Sequence, residues 1–581
     1  MLLTKENDSL TISTDAYTLV FAADRPFVYL HDRQGTRIAE LFVLSSVHAL
    51  SGRDDTVGTG SWEVQESPEE TVFSLPAQSS IWNGKTYRFR CQPHRFVYEM
   101  EVTGTGRLAE VNYFGGYASG QPRWGSGFFW SGQHFTQGFT PEPNAEEVNY
   151  FSPSAGAVID LMGVPLPGKA HWFFTPPPFS FAFQAGEGWL GLGVEAEPGA
   201  NRFTEYRYHG QSGFHLSLSY EGYTLVAGAT QLPAIGFDFG RNEFKVLEAH
   251  VQALAKAGRV SLPRNTSRPA WWYEPIFCGW GAQCYLAAVE RGRAPDYSQQ
   301  AVYDAFLGAL DKQGIAPGIV VLDDKWQATY GENRADRQKW RDLRGFIDAQ
   351  HARGRRVLLW LKAWDPEGIP AAECITNAAG RPVAFDPSHP AFEQRLRQSV
   401  RTMLSTEGYD ADGFKIDFSA RIPSGPGMHV HGDFWGLELM KLYLGIVRGE
   451  AKQTKSDALI MTHTPHPYLA DVVDMIRLND VLDLNRLDDP TVGQDIGKVM
   501  KLRAQIATIA CPDAIIDTDN WPVRDKASWC DYVRLQPGLG VPSLYFVDHV
   551  DLTKEPLETS DFQLIRAAWH QYRLQRQSEG L

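Results

Sequence analysis

In Gly408-Tyr-Asp-Ala-Asp-Gly-Phe-Lys-Ile-Asp-Phe-Ser-Ala-Arg-Ile-Pro423 the sequence predicts a short buried β-strand, Gly413–Phe418. Side chains alternate across a strand, so Lys415 and Asp417 lie on one face and the apolar residues on the other. A nearby ammonium favours the ionised form of a carboxyl group and lowers its pKa. The pair therefore indicates a strand end that holds a charged carboxylate, although a purely structural ion pair would leave the same pattern.

Strands and helices alternate regularly after Pro275. We predict strands at Ile276–Trp280, Ile319–Asp323, Val357–Leu361, Gly413–Asp417, Leu459–Thr462, Val473–Leu478, Ile515–Thr518 and Ser543–Val547. Apolar residues at helical spacing predict helices at Ser298–Gln313, Leu343–Arg353, Pro390–Leu404, Phe434–Gly449, Gly493–Ile509 and Asp561–Arg576. This α/β alternation matches a (β/α)8 TIM barrel, in which reactive groups lie at the carboxyl ends of the strands.

The first 241 residues have the pattern of an all-β sandwich. Short alternating segments are separated by turns, among them Tyr17–Ala22 and Arg95–Val102, and Asn83-Gly84 predicts a hairpin turn. An aromatic stretch, Pro122–Trp130, would either cover one end of this sandwich or reach a neighbouring site. We therefore predict a β-sandwich at 1–241, a linker helix and linker at 242–269, and the barrel at 270–581.

Charge and composition exclude several classes of partner. The 581 residues carry a formal net charge of −14, which disfavours nucleic acid and anionic membranes. The N-terminus lacks a basic region followed by an apolar run, and no window of about 18 apolar residues occurs. Six scattered cysteines without CxxC spacing favour reduced thiols. We expect a cytoplasmic protein; its oligomeric state is open, with a homo-oligomer as one alternative.

The second and third barrel strands end in residues suited to a polyol ligand. Asp323 and Asp324 lie on opposite sides of the second strand end, with Trp326 two residues on. The carboxylate directed into the barrel mouth can bind two vicinal hydroxyls, while the other could cap the following segment. At the third strand end, Trp360 and Lys362 share the inward face, which places a stacking surface beside a donor.

Two acidic positions near the sixth and seventh strands are candidates for a general acid. Asp480 follows an apolar face of the sixth strand, and such neighbours raise the pKa of a carboxyl group. A solvent-exposed loop aspartate is the competing interpretation. The seventh strand runs into a second cluster, with Asp519 and Trp521, that could replace Asp480. We favour Asp480 for two reasons: it matches the family pattern described below, and acid and nucleophile are expected to occupy different environments.

Two histidine pairs raise the question of a metal. His429-Val-His431 and His463-Thr-Pro-His466 offer nitrogen ligands, but neither pair has a third ligand at conventional spacing. We therefore expect neither a metal ion nor an organic cofactor. His463, just past the fifth strand, is expected to hydrogen-bond a substrate or to orient an acid.

Five runs of the barrel region stand in a recognisable order. They are Val321-Leu-Asp-Asp-Lys-Trp-Gln327, Leu359-Trp-Leu-Lys362, Phe385-Asp-Pro-Ser-His-Pro390, Gly413-Phe-Lys-Ile-Asp417 and Arg477-Leu-Asn-Asp480. Their order and spacing resemble the barrel motifs of glycoside hydrolase family 36, the α-galactosidase and raffinose synthase family. The resemblance implies a nucleophile at Asp417, an acid/base at Asp480, and sugar-hydroxyl ligands at Asp324, Lys362 and Lys415.

Three features depart from that family's pattern. Lys325 replaces the glycine of a DDGW turn, and Leu478-Asn479 replace the residues that usually precede the acid/base. The chain after the eighth strand has room for one helix but not for the C-terminal β-domain that such enzymes carry. These departures bear on the choice of sugar more than on the reaction.

These residues predict a retaining, exo-acting α-glycoside hydrolase for a small oligosaccharide or glycoside, with α-galactosides as the first substrate class. An α-glucosidase or an α-transglycosylase of the same clan would use the same carboxylates. A non-catalytic carbohydrate-binding protein is the alternative of another class. The predicted catalytic residues are Asp417 and Asp480, and the predicted substrate-binding residues are Asp323, Asp324, Trp326, Trp360, Lys362, Lys415, His463, Arg477, Asp519 and Trp521.

Overall fold

The computed structural model describes residues 1–6, 9–121, 125–141, 150–162, 178–211, 213–263, 267–478, 480 and 496–578. The described chain begins with antiparallel sheets. Their strands are β1 (Leu2–Glu6), β2 (Ser9–Ser13), β3 (Tyr17–Ala22), β4 (Phe27–Asp32), β5 (Arg37–Phe42), β6 (Val47–Ala49), β7 (Asp55–Thr59), β8 (Glu63–Glu66), β9 (Thr71–Ser79), β10 (Gly84–Cys91) and β11 (Arg95–Tyr113). They continue with β12 (Gly115–Gln121), β13 (Gly125–Trp130), β14 (Gly132–Gln133), β15 (Phe135–Phe139), β16 (Tyr150–Phe151), β17 (Ala155–Met162), β18 (Ser180–Ala185), β19 (Gly188–Glu195), β20 (Glu205–Gln211), β21 (His215–Gln231) and β22 (Ala234–Gly240).

Two sheets, antiparallel except where β7 pairs with β12, pack face to face in this N-terminal part. Strands β1 to β5 and β14 form a six-stranded sheet, and the other strands form a sheet of 16. Aromatic side chains join the two layers: Phe21 of β3 stacks on Phe73 of β9 with ring centroids 4.0 Å apart. Both rings are fully buried. The all-β sandwich predicted for this region is therefore present.

The hairpin predicted at Asn83-Gly84 lies between β9 and β10, but its turn is longer than two residues. Residues 80–83 form the turn, and Gly84 is already the first residue of β10. The indole N–H of Trp82 donates to the carbonyl oxygen of Val47 at 2.8 Å, and its ring is buried. Because Trp82 lies within the turn and its side chain reaches the core, the turn needs more than two residues.

The second part of the described chain alternates strands and helices. Its strands are β23 (Ile276–Cys278), β24 (Ile319–Leu322), β25 (Arg356–Lys362), β26 (Cys374–Thr376), β27 (Pro382–Phe385), β28 (Gly413–Asp417), β29 (Leu459–Thr462), β30 (Met475–Arg477), β31 (Ile515–Asp517) and β32 (Ser543–Leu544). The α-helices are α1 (Glu243–Lys256), α2 (Trp280–Glu290), α3 (Gln300–Lys312), α4 (Leu343–His351), α5 (Pro390–Leu404), α6 (Gly436–Thr454), α7 (Ile496–Ala510), α8 (Lys526–Leu535) and α9 (Thr559–Ser578).

Eight of these strands form one parallel sheet that closes on itself. Their order is β31-β30-β29-β28-β25-β24-β23-β32. Val541 joins the two ends: its N–H donates to Ile516 at 2.8 Å, and its carbonyl oxygen accepts from Thr518 at 3.1 Å. The predicted barrel architecture is present, and the carboxyl ends of all eight strands meet at one rim, the barrel mouth.

The observed ends of strands and helices agree most closely with the predicted ends where the sequence pattern is interrupted sharply. Strands Gly413–Asp417 and Leu459–Thr462 and helix Pro390–Leu404 begin and end at the predicted residues. The sixth strand is shorter than predicted and covers only Met475–Arg477.

Asp474 precedes the sixth strand and is bonded to both neighbouring strands. Its N–H donates to the Ile460 carbonyl at 2.9 Å, and its carbonyl oxygen accepts the Ile515 N–H at 3.0 Å. Its carboxylate accepts the backbone N–H of Ile460 at 3.0 Å and forms an ion pair with Lys452 at 2.8 Å. Side-chain bonds therefore reinforce the backbone bonds at the start of this strand.

Helix α1, predicted as part of the linker, packs on the sandwich. Asn242 caps its first turn, accepting from the Lys245 N–H at 2.9 Å. Val246 is fully buried, and the imidazole of His250 hydrogen-bonds the carbonyl oxygen of Val194 at 3.2 Å. The division at 1–241, 242–269 and 270–581 stays a prediction.

Several predictions fall partly outside the described residues. These are positions 122–124 of the aromatic stretch, 264–266 of the linker, and the first residues of the helix predicted at Gly493–Ile509. In the described ranges, no helix combines the length and apolar character needed to span a membrane. All six cysteines are free thiols.

Candidate active site

Asp417 ends β28 at the barrel mouth. Its Oδ1 accepts the Phe418 N–H at 2.9 Å and Arg477 Nη2 at 3.1 Å, and His463 Nε2 lies 3.4 Å from it. Within the described part of the chain, Oδ2 has a single partner, the indole N–H of Trp360 at 3.3 Å. Oδ2 is therefore the less engaged of the two oxygens.

The carboxyl group of Asp417 is held ionised. Burial by itself raises its pKa, but the charges of Arg477 and Lys415 and the Phe418 N–H outweigh burial and hold the pKa well below the usual range. The sequence pattern assigned this effect to Lys415, whereas the direct partner is Arg477. Lys415 lies two residues, about 7 Å, deeper in the barrel, and its amine reaches β24 instead.

Arg477, the last residue of β30, binds three carboxylates. Its Nη2 donates to Asp417 at 3.1 Å, while its Nη1 donates to Asp480 Oδ1 at 3.1 Å and to Asp519 Oδ2 at 2.6 Å. The guanidinium nitrogens form a rigid fork, so the bonded oxygens of Asp417 and Asp480 lie no more than about 9 Å apart. The two candidate catalytic carboxyl groups therefore share one site.

Asp480 differs from Asp417 in its protonation. Burial raises the pKa of Asp480 to about 7; Arg477 opposes this shift, while Asp519 and Asp417 add to it. One guanidinium thus holds a charged carboxylate and a carboxyl group that is about half protonated at pH 7.

The alternative acidic cluster has a different role in the structure. Asp519 accepts the next two backbone N–H groups on Oδ1, at 2.6 and 3.0 Å, while Oδ2 accepts from Arg477. Its oxygens are therefore engaged as a partner of the guanidinium. Trp521 is 6% exposed and donates its indole N–H to Asp551 at 2.8 Å.

A buried ion pair forms the floor of the mouth. Asp323 Oδ2 accepts from Lys415 Nζ at 2.7 Å and from the Cys278 thiol at 3.0 Å. Burial lowers the pKa of Lys415, but Asp323, Cys278 and Asp417 together outweigh burial and raise it overall. Both residues were predicted to bind sugar hydroxyls; the structure bonds them mainly to each other, with Tyr545 Oη 3.4 Å from the amine.

Asp324 lies on a second wall with Tyr330 and Lys362. The phenol of Tyr330 donates to Asp324 Oδ1 at 2.8 Å, and burial raises the pKa of Asp324 to about 6 although this bond opposes the shift. Lys362 pairs with Asp365 at 2.8 Å, and its ammonium lies 4.2 Å from the Tyr330 ring centroid. Polar groups of both signs therefore line this wall.

Lys325 adopts a backbone conformation that favours glycine. Its φ of 148° lies in a region that side chains rarely adopt. Its ammonium compensates by pairing with Glu367 and by lying 3.5 Å from the Tyr330 ring centroid. The departure from the DDGW pattern thus adds a cation beside the mouth.

The tryptophans predicted at the second and third strand ends occupy different environments. Trp360 is 1% exposed and reaches Asp417 through its indole N–H, so it contributes a donor more than a stacking face. Trp326 is completely buried, and its indole N–H donates to the carbonyl oxygen of Trp360 at 2.8 Å. It packs edge-on to Tyr409 beneath the mouth, which leaves no exposed face for a ligand. The structure therefore places Trp326 among the packing residues.

His463 follows β29 and faces the nucleophile candidate. Its Nε2 lies 3.4 Å from both Asp417 Oδ1 and Ser419 Oγ. Burial lowers the pKa of His463 to about 3, although Asp417 opposes this shift. The ring is therefore neutral at pH 7 and acts as a hydrogen-bonding group.

Sequence analysis missed several side chains of this site. Arg503 of α7 is buried, and its Nη1 donates to the carbonyl oxygens of Leu478 at 2.6 Å and Asp480 at 3.0 Å. A lone arginine on the apolar face of a helix was an available signal. Cys278 and Tyr545 gave none, because their partners come from other strands. Tyr330 gave none because it lies in an irregular segment, six residues after its partner Asp324.

We expect Arg477→Met to destabilise the fold in a pH-dependent way. At pH 7 the loss of the shared cation should cost about 3–5 kcal/mol of unfolding free energy. The depressed pKa of Asp417 stabilises the wild type above the unfolded pKa of about 4, and this contribution is lost as the pH falls. The difference between wild type and variant should therefore stay constant from pH 8 to about pH 5 and shrink as the pH falls below about 4.

Chemical denaturation between about pH 2 and pH 8 measures this difference. Arg534→Met is the control, because it breaks an exposed ion pair with Asp531 whose atoms are 2.7 Å apart. If both variants lost the same stability at every pH, Arg477 would not stabilise the carboxylates.

Solved structures that resemble this chain include members of two glycoside hydrolase families. A GH31 sulfoquinovosidase from E. rectale aligns over 99% of this chain and 82% of its own, with 10% identity and a TM-score of 0.61. An α-galactosidase from Lactobacillus brevis aligns over 99% and 85%, with 10% identity and a TM-score of 0.55. A GH36 α-galactosidase from Geobacillus stearothermophilus aligns over 99% and 86%, with 11% identity and a TM-score of 0.52. No protein-family model and no curated protein match the sequence. The chain therefore has the fold of GH31 and GH36 glycoside hydrolases.

Proposed function

We propose that this chain is a retaining, exo-acting α-glycoside hydrolase, with Asp417 as nucleophile and Asp480 as acid/base. One observation carries the proposal: Arg477 joins an ionised carboxylate to a carboxyl group whose pKa is about 7. Retaining glycosidases require such a pair. The fold supports it, since the neighbours include α-galactosidases. We take α-galactosides as the first substrate class.

In the first step, Asp417 attacks the anomeric carbon while Asp480 protonates the departing oxygen. Oδ2 of Asp417 is the attacking atom, because Oδ1 is occupied by Phe418 N–H and Arg477. Oδ1 of Asp480 accepts from Arg477, so the transferred proton is on Oδ2. The glycosidic bond breaks, and the sugar becomes bonded to Asp417.

In the second step, the ionised Asp480 removes a proton from water, which attacks the anomeric carbon and releases Asp417. Asp480 is charged after it has given up its proton, and it then lies beside Arg477 together with Asp519. The Arg477 guanidinium stabilises this charge. A sugar hydroxyl in place of water would give a transglycosylase with the same residues.

An exo mode of action follows from burial. The side chains of Asp417 and Asp480 are 13% and 7% exposed, so a chain end enters more readily than the middle of a polymer. Asp324 and the Lys415 and Lys362 ammonium groups are the proposed ligands of the glycone hydroxyls. The proposed substrate is a small oligosaccharide or glycoside.

A cytoplasmic location is also proposed. The six free thiols support it, because thiols stay reduced in that compartment.

A glycone with an acidic substituent is the second candidate. The ammonium groups of Lys325 and Lys362 lie 3.5 and 4.2 Å from the Tyr330 ring centroid, beside Asp324. One structural neighbour is a sulfoquinovosidase. A screen of aryl α-galactoside, α-glucoside, α-N-acetylgalactosaminide, 6-sulfo-α-glucoside and α-pentosides decides between the candidates.

Asp417→Asn should lower kcat/KM on the best aryl α-glycoside by at least about 10³-fold, because the amide cannot form the glycosyl-enzyme. Asp480→Asn should cost about 10²- to 10⁴-fold with poor leaving groups and less with activated ones. Asp531→Asn, at an exposed carboxylate, is the control. Activity retained in Asp417→Asn would refute the assignment of Asp417 as the nucleophile.

The pH profile of kcat/KM should have its basic limb near pH 7. Asp480 must carry a proton to act as acid, and its pKa of about 7 means that activity falls as the pH rises through that value. Asp417 stays ionised well below pH 4, so the acid side should remain broad. Full activity at pH 9 would exclude Asp480 as the acid.

The first product should be the α-anomer. Proton NMR during hydrolysis of an α-glycoside distinguishes it from the β-anomer before mutarotation. A β-anomer would mean that the two carboxyl groups act by inversion.

A further inference from the structure

We propose that Glu221 and Tyr223 of the N-terminal sandwich position the wall of the catalytic pocket. They hold residues 418–435, the loop that continues directly from Asp417. The inference rests on the proposed function and extends it, because it makes the sandwich part of the substrate site. Both are positioning residues, since neither touches the reacting atoms.

A bulge in β21 directs both side chains out of the sheet. Pairing of β21 with β11 shifts register between Ser219 and Thr224. Glu221 and Gly222 have φ values of 56° and 89°, so the chain leaves the extended conformation there. Bulges of this kind redirect side chains and are enriched beside functional sites.

The two side chains bind the loop at four points. Glu221 accepts the Gly425 N–H on Oε1 at 2.9 Å and the Trp435 indole N–H on Oε2 at 3.1 Å. The phenol of Tyr223 donates to the Gly425 carbonyl at 2.7 Å and accepts the Met428 N–H at 2.7 Å. Its ring stacks on Trp435 with centroids 3.8 Å apart. Both carboxylate oxygens of Glu221 therefore bind this loop, and the hydroxyl of Tyr223 binds it both as a donor and as an acceptor.

The held loop carries side chains that surround the nucleophile. The Phe418 ring lies edge-on to Trp360, with centroids 6.2 Å apart, and the Arg421 guanidinium lies 4.5 Å from the Phe418 centroid. Burial lowers the pKa of Arg421, while Asp417 and Asp480 both oppose this shift, so the guanidinium lies within reach of both charges. Displacing the loop would therefore displace a pocket wall.

Glu221 and Tyr223, the two clamp residues, are not the only attachment of the sandwich to the barrel. The Glu438 carboxylate accepts the Asn201 N–H at 2.9 Å, and the Glu438 N–H donates to the Asn201 carbonyl at 3.1 Å. Gly436 approaches the Phe203 carbonyl so closely that a Cβ would lie 2.1 Å from it. These contacts hold the start of α6 and provide a matched control.

The test compares Glu221→Gln and Tyr223→Phe with Glu438→Gln. In Glu221→Gln, one of the two N–H donors faces an NH₂ group; Tyr223→Phe keeps the stacked ring but loses two hydrogen bonds. We expect KM on the best aryl α-glycoside to rise about 5- to 30-fold in both clamp variants, the factor for one or two lost buried bonds, with kcat within about twofold. Glu438→Gln should change the melting temperature but not KM.

Two outcomes would overturn the inference. Either KM stays at the wild-type value in both clamp variants, or Glu438→Gln raises KM equally, which would assign the effect to general docking. Binding of the glycoside to the Asp417→Asn background, measured by calorimetry with and without Tyr223→Phe, gives the same comparison without turnover. Loss of activity in Asp417→Asn combined with an unchanged KM in the clamp variants would reject this inference while leaving the proposed function intact.

Discussion

The ion-pair group centred on Arg477 is the constraint on which the site depends. A buried guanidinium needs compensating charge, and here it takes three carboxylates from the ends of β28, β30 and β31. Because those strands belong to one closed ring, the bonds also fix their carboxyl ends relative to each other. The same cation thus links the stability of the barrel mouth to the geometry of the candidate chemistry.

Environment, not residue type, separates the two catalytic candidates. Asp417 accepts a backbone N–H in addition to Arg477, and these bonds favour its charged form. Asp480 receives one bond from the shared cation and faces Asp519, so burial dominates and its pKa rises to about 7. A single buried cation can therefore support a nucleophile and an acid if their other neighbours differ.

The sandwich and the barrel meet at the loop after the nucleophile strand. That loop forms hydrogen bonds with two residues of a bulge in β21, whereas α6 is attached separately through Glu438. A long βα loop in a barrel is free to vary in sequence and position, and contacts from a second domain restrict it. Such restriction is one physical reason for carrying a large β-sandwich beside the barrel.

The sequence by itself determined the architecture and the candidate carboxylates, because alternation and helical spacing are local properties. It placed Gly413–Asp417 and Leu459–Thr462 at their observed limits and directed attention to Asp417 and Asp480. Tertiary structure decided which groups meet. Periodicity assigns a side chain to a face but not to a partner across the ring. Closure of the barrel therefore decided the bond of Lys415 to Asp323, the three bonds of Arg477 and the burial of Trp326. Packing of the sandwich against the barrel decided the contacts of Glu221 with the loop after Asp417.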